Sequence, residues 1–184
     1  MPQCYVMARP LNATAASLLG FLHDGPLTGW DLVVIAQQRI GDFWSLTQSQ
    51  VYRELTTMAA AGLVEAHPRG RRDRQPYAIT DAGRTAFTEW VSRPPGPETI
   101  RFPLLLTVLF GRHQPPDRLA DVLAAHRAAH AERLASYEET RAGLPPEAAD
   151  AEPFAVAALD FGLAYERAVL AWFDALPRGL TSPS

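Results

Sequence analysis

The amino-acid sequence predicts a mainly α-helical protein with one small β-hairpin, divided into two domains at residues 1–92 and 98–184. Apolar residues recur at helical spacing along most of the chain, and alternation replaces that spacing only in two short segments around an arginine-rich tip. Three prolines and one glycine crowd into residues 93–97, where neither a helix nor a sheet ladder can continue. The segments on either side of residues 93–97 should therefore pack as separate units.

Composition limits the classes of protein to which the chain can belong. The chain has 184 residues, of which 47% are hydrophobic, enough to build a packed core and too many for a disordered chain. Cys4 is the only cysteine, so neither an intrachain disulfide nor a multi-cysteine metal site can form. No apolar stretch approaches the roughly 20 residues that a membrane-spanning helix needs. We expect a soluble, cytoplasmic protein with no membrane partner.

Capping signals mark where the first two helices of the N-terminal domain begin or end. Asn12 or Thr14 can cap a first helix, which ends before Gly25. Thr28 and Asp31 have the spacing of a capping box, in which each residue's side chain accepts a hydrogen bond from the other's backbone N–H. This pair predicts the start of a second helix.

The third helix is predicted by a second capping box and a clear apolar stripe. Residues 47–50 read Thr-Gln-Ser-Gln, and Val51, Leu55 and Met58 follow at i, i+4 and i+7. Gly62 marks the end of this helix. The three apolar residues should face the core, and the polar residues between them should face solvent.

The segment after the third helix changes period. Residues 63–67 and 76–80 partly alternate on either side of a Pro-Arg-Gly-Arg-Arg-Asp-Arg tip, which predicts a β-hairpin with a long loop. A fourth helix begins near residues 80–81. The order helix, helix, helix, hairpin, helix is that of a winged helix-turn-helix.

In a helix-turn-helix, the N-terminal part of the recognition helix enters the major groove of DNA. Glutamine can pair with adenine and arginine with guanine, while serine, tyrosine and the helix N-terminus contact phosphates. The alternative is an ordinary solvent-facing helix. The predicted DNA-binding residues of the third helix are Gln48, Ser49, Gln50, Tyr52, Arg53 and Thr57.

Charge distribution favours nucleic acid more than the net charge of -3 suggests. Residues 1–92 hold eight arginines and eight acids, and residues 93–184 hold nine arginines and twelve acids. There is no lysine, so every basic contact must come from a guanidinium with its fixed, bidentate geometry. The alternative for the basic cluster at the hairpin tip is a solvated charge run. The predicted DNA-binding residues of this basic cluster are Arg69, Arg71, Arg72 and Arg74.

The N-terminal domain resembles the PadR-like transcriptional regulators, a family named for a regulator of phenolic acid decarboxylase. The resemblance covers about residues 13–90. The first matching motif is a helix with Leu-Leu-Gly, followed by Gly-Pro and then by glycine and an aromatic residue. The second is Val-Tyr-Arg-Glu-Leu in the third helix. The third, after the hairpin tip, is an aromatic residue followed by a Thr-x-x-Gly motif. It implies that Tyr52 contacts DNA and that the arginine-rich tip is the family's basic wing. Two departures are Trp30, where the family has tyrosine, and Glu54 with Thr56, where a lysine is expected.

The C-terminal domain is predicted to contain helices at residues 98–111, 117–142 and 152–176. The last helix carries one apolar stripe from Phe154 to Leu176 and a second containing Leu163 and Phe173. A helix that is apolar on two sides must be covered on two sides. With only two other helices available, a second copy of the chain is the simplest cover, and a two-fold dimer would bind double-stranded DNA with a palindromic operator.

Residues 159–173 resemble the C-terminal domain of the long PadR-like members. That resemblance implies a homodimeric, sequence-specific repressor that releases DNA when a small, often aromatic, effector binds near the dimer interface. Phe161, Tyr165 and Trp172 are the predicted effector-binding residues. The alternative is that these aromatic side chains fill the dimer core.

Other functions have weaker support. His126 and His130 lie one helical turn apart, as zinc ligands can, but no further ligand is spaced to complete a site, so we expect no metal and no cofactor. The sequence has no phosphate-binding glycine loop and no Gly-x-Ser-x-Gly motif, so we expect no enzyme. A winged-helix module that binds another protein, without sequence-specific DNA binding, remains the alternative to a DNA-binding regulator.

Overall fold

A computed structural model of the chain describes residues 11–41, 43–70, 74–97 and 101–181. The chain forms two compact units, one on either side of Pro97. The N-terminal unit combines helices with a small sheet, and the C-terminal unit is built from helices. Among the described residues, no helix has both the length and the apolar character needed to cross a membrane.

The helices of the N-terminal unit are α1 (Ala13–Phe21), α2 (Gly29–Arg39), α3 (Gln48–Ala60) and α4 (Asp81–Val91). Each begins at a side-chain oxygen that accepts a hydrogen bond from the first turn; the capping residues are Asn12, Thr28, Thr47 and Thr80. These caps satisfy backbone donors that would otherwise lack an acceptor, so they fix where each helix starts. Asn12, rather than Thr14, caps α1, and both predicted capping boxes are confirmed.

Helices α1, α2 and α3 share one apolar core. Val51, Leu55 and Met58 are each at most 2% exposed, which confirms the face predicted from their spacing. They pack with buried side chains of the other two helices, including Leu18 of α1 and Leu32 of α2. Because this face of α3 is sealed in the core, its opposite face is left to solvent.

A three-stranded antiparallel sheet adjoins these helices. Its strands are β1 (Leu27–Thr28), β2 (Val64–Ala66) and β3 (Pro76–Ile79), in the spatial order β1-β3-β2. The pairing of β2 with β3, with Val64 opposite Ile79, confirms the predicted hairpin, although both strands are shorter than predicted. The two-residue strand β1 was not predicted. Residues 71–73, at the hairpin tip, lie outside the described part of the chain.

The C-terminal unit contains α5 (Pro103–Leu109), α6 (Pro116–Ala142), α7 (Ala148–Ala151), α8 (Pro153–Asp174) and α9 (Arg178–Thr181). Of the helix predicted at residues 98–111, residues 98–100 lie outside the described part of the chain, and the α-helix in the described residues is shorter than expected. It begins at Pro103, because proline fits the first turn of a helix and not its interior, and it is followed by a 3₁₀ turn at Gly111–His113. The other two predicted helices correspond to α6 and α8, whereas α7 and α9 were not predicted.

The two apolar faces of α8 have different surroundings. Leu163 and Phe173 are buried, and Phe173 packs with Leu119 and Leu123 of α6. Phe154 and Phe161, on the other apolar face, are 90% and 66% exposed. Within the described residues of the C-terminal unit, α8 is therefore covered on one side.

Candidate nucleic-acid interface

The solvent-facing side of α3 carries polar side chains from its first residue onward. Gln48, Ser49, Tyr52, Arg53 and Thr57 are exposed. Val51 and Leu55, between them in sequence, are buried. From Gln48 to Thr57 the helix thus presents donors and acceptors on one side, while the other side holds the helix in the core.

Gln50 is the predicted contact residue whose side chain is already engaged. It is half-buried, and its Oε1 accepts hydrogen bonds from the backbone N–H of Thr47, at 2.8 Å, and from the Thr47 hydroxyl, at 3.1 Å. The bidentate pairing of glutamine with adenine uses both ends of the amide. In this capped state Gln50 offers only its Nε2 group to a ligand.

Tyr52 and Arg53 extend from the middle of the exposed face. The tyrosine is 42% exposed, and its hydroxyl makes no hydrogen bond to any residue that the structure describes. The guanidinium side chain of Arg53 is 69% exposed, with a loose ion pair of 3.7 Å to Glu54. Both side chains are therefore accessible to a ligand approaching α3.

Glu54 does not lie on this exposed face. Its side chain is 12% exposed, and its Oε2 accepts a hydrogen bond of 3.2 Å from Nδ2 of Asn12, the residue that caps α1. The carboxylate therefore ties α3 to the start of α1. The lysine expected from the resemblance is thus replaced by a residue with a structural contact, which the sequence did not reveal because the two partners are 42 residues apart.

The base of the hairpin tip presents further arginines. Arg69 and Arg74 are exposed, and the backbone N–H of Gly70 donates to the carbonyl of Arg74 at 2.8 Å, which closes the two sides of the tip. Arg71 and Arg72 lie outside the described residues. Arg69 and Arg74 are thus placed on opposite sides of the tip.

In the C-terminal unit, two of the three predicted effector-binding residues belong to a row of aromatic rings. The rings of Phe161 and Tyr165 stack at 6.5 Å between centroids, and those of Phe102 and Tyr165 stack at 6.4 Å. Trp172 lies apart from this row and packs edge-on against Phe173 at 4.8 Å. The structure therefore groups Phe161 with Tyr165 and places Trp172 beside the core of α6 and α8.

A buried carboxylate lies beside the aromatic row. Glu166 is 2% exposed; it pairs with Nδ1 of His130 at 2.5 Å and with Nε of Arg133 at 3.0 Å. Burial raises the pKa of the Tyr165 hydroxyl, the neighbouring Glu166 carboxylate raises it further, and Arg133 opposes the rise. His130, considered above as a zinc ligand, thus has a carboxylate partner. Sequence reasoning missed Glu166, although an acid within an apolar helix was a usable signal.

The class of protein follows from the N-terminal unit. A three-helix core, a polar and exposed third helix and an adjoining β-hairpin make a winged helix-turn-helix, the arrangement of a class of DNA-binding proteins.

Comparison with known proteins identifies the family. Residues 18–89 match the transcriptional regulator PadR-like family, and residues 100–180 match the virulence activator alpha C-term family. The chain is 27% identical to the negative transcriptional regulator PadR of Bacillus subtilis over 176 residues, which cover 87% of this chain and 93% of that protein. Residues 18–89 therefore form a PadR-like family domain, as the sequence motifs predicted.

Solved structures share the fold. The crystal structure of Bacillus subtilis PadR in complex with operator DNA matches with a TM-score of 0.72 at 22% identity, covering 89% of this chain and 96% of that one. The structure of the same protein in complex with p-coumaric acid matches with a TM-score of 0.67 at 25% identity, covering 91% and 94%. These relatives are DNA-binding transcriptional regulators and not enzymes, as expected for this chain.

Proposed function

We propose that the chain is a homodimeric, sequence-specific DNA-binding regulator that represses transcription in the cytoplasm and is released by a small aromatic effector. The observation that carries this proposal is the polar, exposed face of α3 opposite a face sealed in the core. Residues 1–92 bind DNA in this proposal, and residues 98–184 form the dimer and hold the effector. Repression is supported by the Bacillus subtilis relative, which is a negative transcriptional regulator.

The proposed contacts divide between bases and phosphates. Arg53 and Gln48 point out from the N-terminal half of α3 and reach base edges, where arginine prefers guanine and glutamine prefers adenine. Ser49 and Tyr52 contact phosphates. Gln50 contributes through Nε2, and Thr57 contributes less, because its hydroxyl already donates to the Arg53 carbonyl at 3.0 Å. The wing residues Arg69, Arg71, Arg72 and Arg74 contact the flanking backbone or minor groove.

A mobility-shift assay tests DNA binding. The probes are fragments from the promoter of the chain's own operon and of neighbouring operons, titrated with salt. We expect a shift that weakens steeply as salt rises, because the contacts of the wing release counterions from the DNA. The double charge reversal Arg71→Glu with Arg72→Glu should abolish the shift, whereas Arg118→Glu, an exposed arginine of the C-terminal unit, should leave it nearly unchanged.

Two outcomes would contradict the proposal. One is the lack of a salt-sensitive shift on any genomic fragment. The other is that charge reversal at Arg71 and Arg72 disrupts the binding of a partner protein and leaves DNA binding unchanged. The second outcome would favour the winged-helix protein-interaction module.

The proposed dimer follows from the uncovered face of α8. Phe154 and Phe161 are largely exposed there, and α5 exposes Leu106 and Leu109 by 61% and 70%. Exposed apolar side chains that form a patch usually mark a surface that another protein covers. A second copy is the proposed partner, because two-fold symmetry would place two copies of α3 on a palindromic operator.

The proposed effector site uses the aromatic row of α8. Phe161 and Tyr165 supply stacked rings, with Trp172 further along the helix, and the Bacillus subtilis relative has been crystallised in complex with p-coumaric acid. Titration of the protein–DNA complex with p-coumaric acid should release DNA in proportion to ligand. Release that is unchanged in a Tyr165→Ala variant would favour the alternative in which these rings only fill the dimer core.

A further inference from the structure

Gly29 and Tyr52 make a close contact between α2 and α3. A Cβ atom placed on Gly29 would lie 2.7 Å from Cε1, 2.8 Å from Cζ and 3.2 Å from the hydroxyl oxygen of Tyr52. Non-bonded carbon atoms rest at about 3.5–4.0 Å. The phenol ring therefore fills the space that any side chain at position 29 would need, and Gly29 is buried although it begins a helix.

The backbone at Gly29 gives no other reason for glycine. Its φ angle lies outside the left-handed region, which among the described glycines is occupied by Gly25 and Gly62. Gly29 is the first residue of α2, directly after the capping residue Thr28. Alanine is ordinarily the better residue at a helical position. The requirement for glycine therefore comes from the ring of Tyr52.

The contact with Gly29 restrains the side chain of Tyr52, which is partly exposed. Tyr52 is 42% exposed, so one side of its ring lies against the first turn of α2 while the rest faces solvent. An unrestrained exposed side chain loses rotamer freedom when it binds a ligand, and a side chain already held in place loses less. The ring of Tyr52 thus lies against the first turn of α2, which limits the positions open to its hydroxyl.

We propose that Gly29 is a positioning residue for DNA binding: its lack of a side chain leaves room for the Tyr52 ring, and the ring in that place directs the Tyr52 hydroxyl toward a DNA phosphate. This inference rests on the proposed contact of Tyr52 with DNA. A methyl group at position 29 would push the ring away by about 1 Å, the difference between the 2.7 Å approach and an ordinary contact.

A double-mutant cycle tests the inference on the full-length protein. Dissociation constants for a DNA fragment that the wild type binds are compared among the wild type, Gly29→Ala, Tyr52→Ala and the double variant. Gly29→Ala should weaken binding roughly tenfold in the wild-type background, the scale of one lost hydrogen bond to a charged group. In the Tyr52→Ala background the same change should alter affinity less than about twofold, because no ring remains for the methyl group to displace.

Two further measurements separate positioning from damage to α2. Gly179→Ala, where a Cβ meets no neighbouring atom, controls for the substitution itself and should leave DNA affinity unchanged. In NMR spectra, the Gly29 Hα resonances should be displaced by the ring current of Tyr52 and return toward ordinary glycine values in Tyr52→Ala. Unchanged Hα shifts would show that the Tyr52 ring does not lie against Gly29 and would overturn the inference.

The outcomes distinguish the inference from the proposed function. If the wild type binds no DNA fragment, the proposed function is wrong and the positioning role falls with it. If the wild type binds and Tyr52→Ala weakens binding, but Gly29→Ala costs the same factor in both backgrounds or costs nothing, only the positioning role is wrong.

Discussion

Glu166 offers the sharpest test of how the C-terminal unit is held together. Its buried carboxylate accepts hydrogen bonds from His130 and Arg133, which join α8 to α6. Glu166→Ala leaves both donors without this acceptor. Hydrogen bonds to charged groups contribute about 1.5–3 kcal/mol each. The Arg133 side chain is 39% exposed and can be hydrated, whereas that of His130 is 13% exposed, so the histidine bears most of the loss.

The expected loss of unfolding free energy is about 2–3 kcal/mol. It is smaller than the sum of two full hydrogen bonds, because removing a buried carboxylate also removes the cost of its desolvation. Urea denaturation followed by far-UV circular dichroism, at one fixed protein concentration, measures it. The matched control is Glu138→Ala, which removes an ion pair between Glu138 and Arg167 whose side chains are 51% and 58% exposed.

The control variant should lose less than about 1 kcal/mol, because exposed ion pairs contribute little. The double variant Glu166→Ala with His130→Ala should be less destabilised than the sum of the two single variants, because the two residues share one hydrogen bond. If Glu166→Ala costs no more than Glu138→Ala, the buried cluster does not stabilise the unit.

Three other changes give separate outcomes. Leu55→Ala, at a fully buried position of α3, should lower the unfolding free energy by about 2–5 kcal/mol in urea denaturation. Phe161→Glu should shift sedimentation from dimer toward monomer, and an unchanged dimer would exclude that face of α8 from the interface. The pKa of Tyr165 is raised above 10.0, so the unfolded chain loses this proton first and stability falls as pH rises above about 10; Tyr165→Phe should flatten that fall in pH-dependent denaturation.

The sequence predicted the features that depend on neighbouring residues. Thr28 with Asp31 and Thr47 with Gln50 lie three residues apart, so the start of each helix is encoded locally. The buried face of α3 follows from helical spacing alone. The family could be predicted from the same N-terminal segment, because its motifs lie where these helices begin and end.

Features that depend on distant residues were not predicted. Strand β1 has only two residues and exists because Leu27 pairs with Tyr77, so no local alternation reveals it. Glu54 looked like a change on the DNA-facing side, and only its contact with Asn12 shows otherwise. The fit of Tyr52 against Gly29 is likewise a contact between two helices. In contrast, the start of α5 is encoded locally and was still not predicted. Pro103 cannot lie in the interior of a helix, so it already marks the first turn.

Selection of DNA from a pool of random duplexes tests the proposed sequence-specific binding by α3 most directly. We expect the wild type to enrich an inverted repeat whose half-sites lie about 10–10.5 base pairs apart or a multiple of that spacing. Arg53→Ala should lose the preference at one base pair in each half-site, with a cost of about 1–3 kcal/mol, and Ser49→Ala should weaken binding to all sequences alike. Enrichment of no common sequence, or an Arg53→Ala variant that selects the same sites with the same preferences, would contradict base contacts by α3.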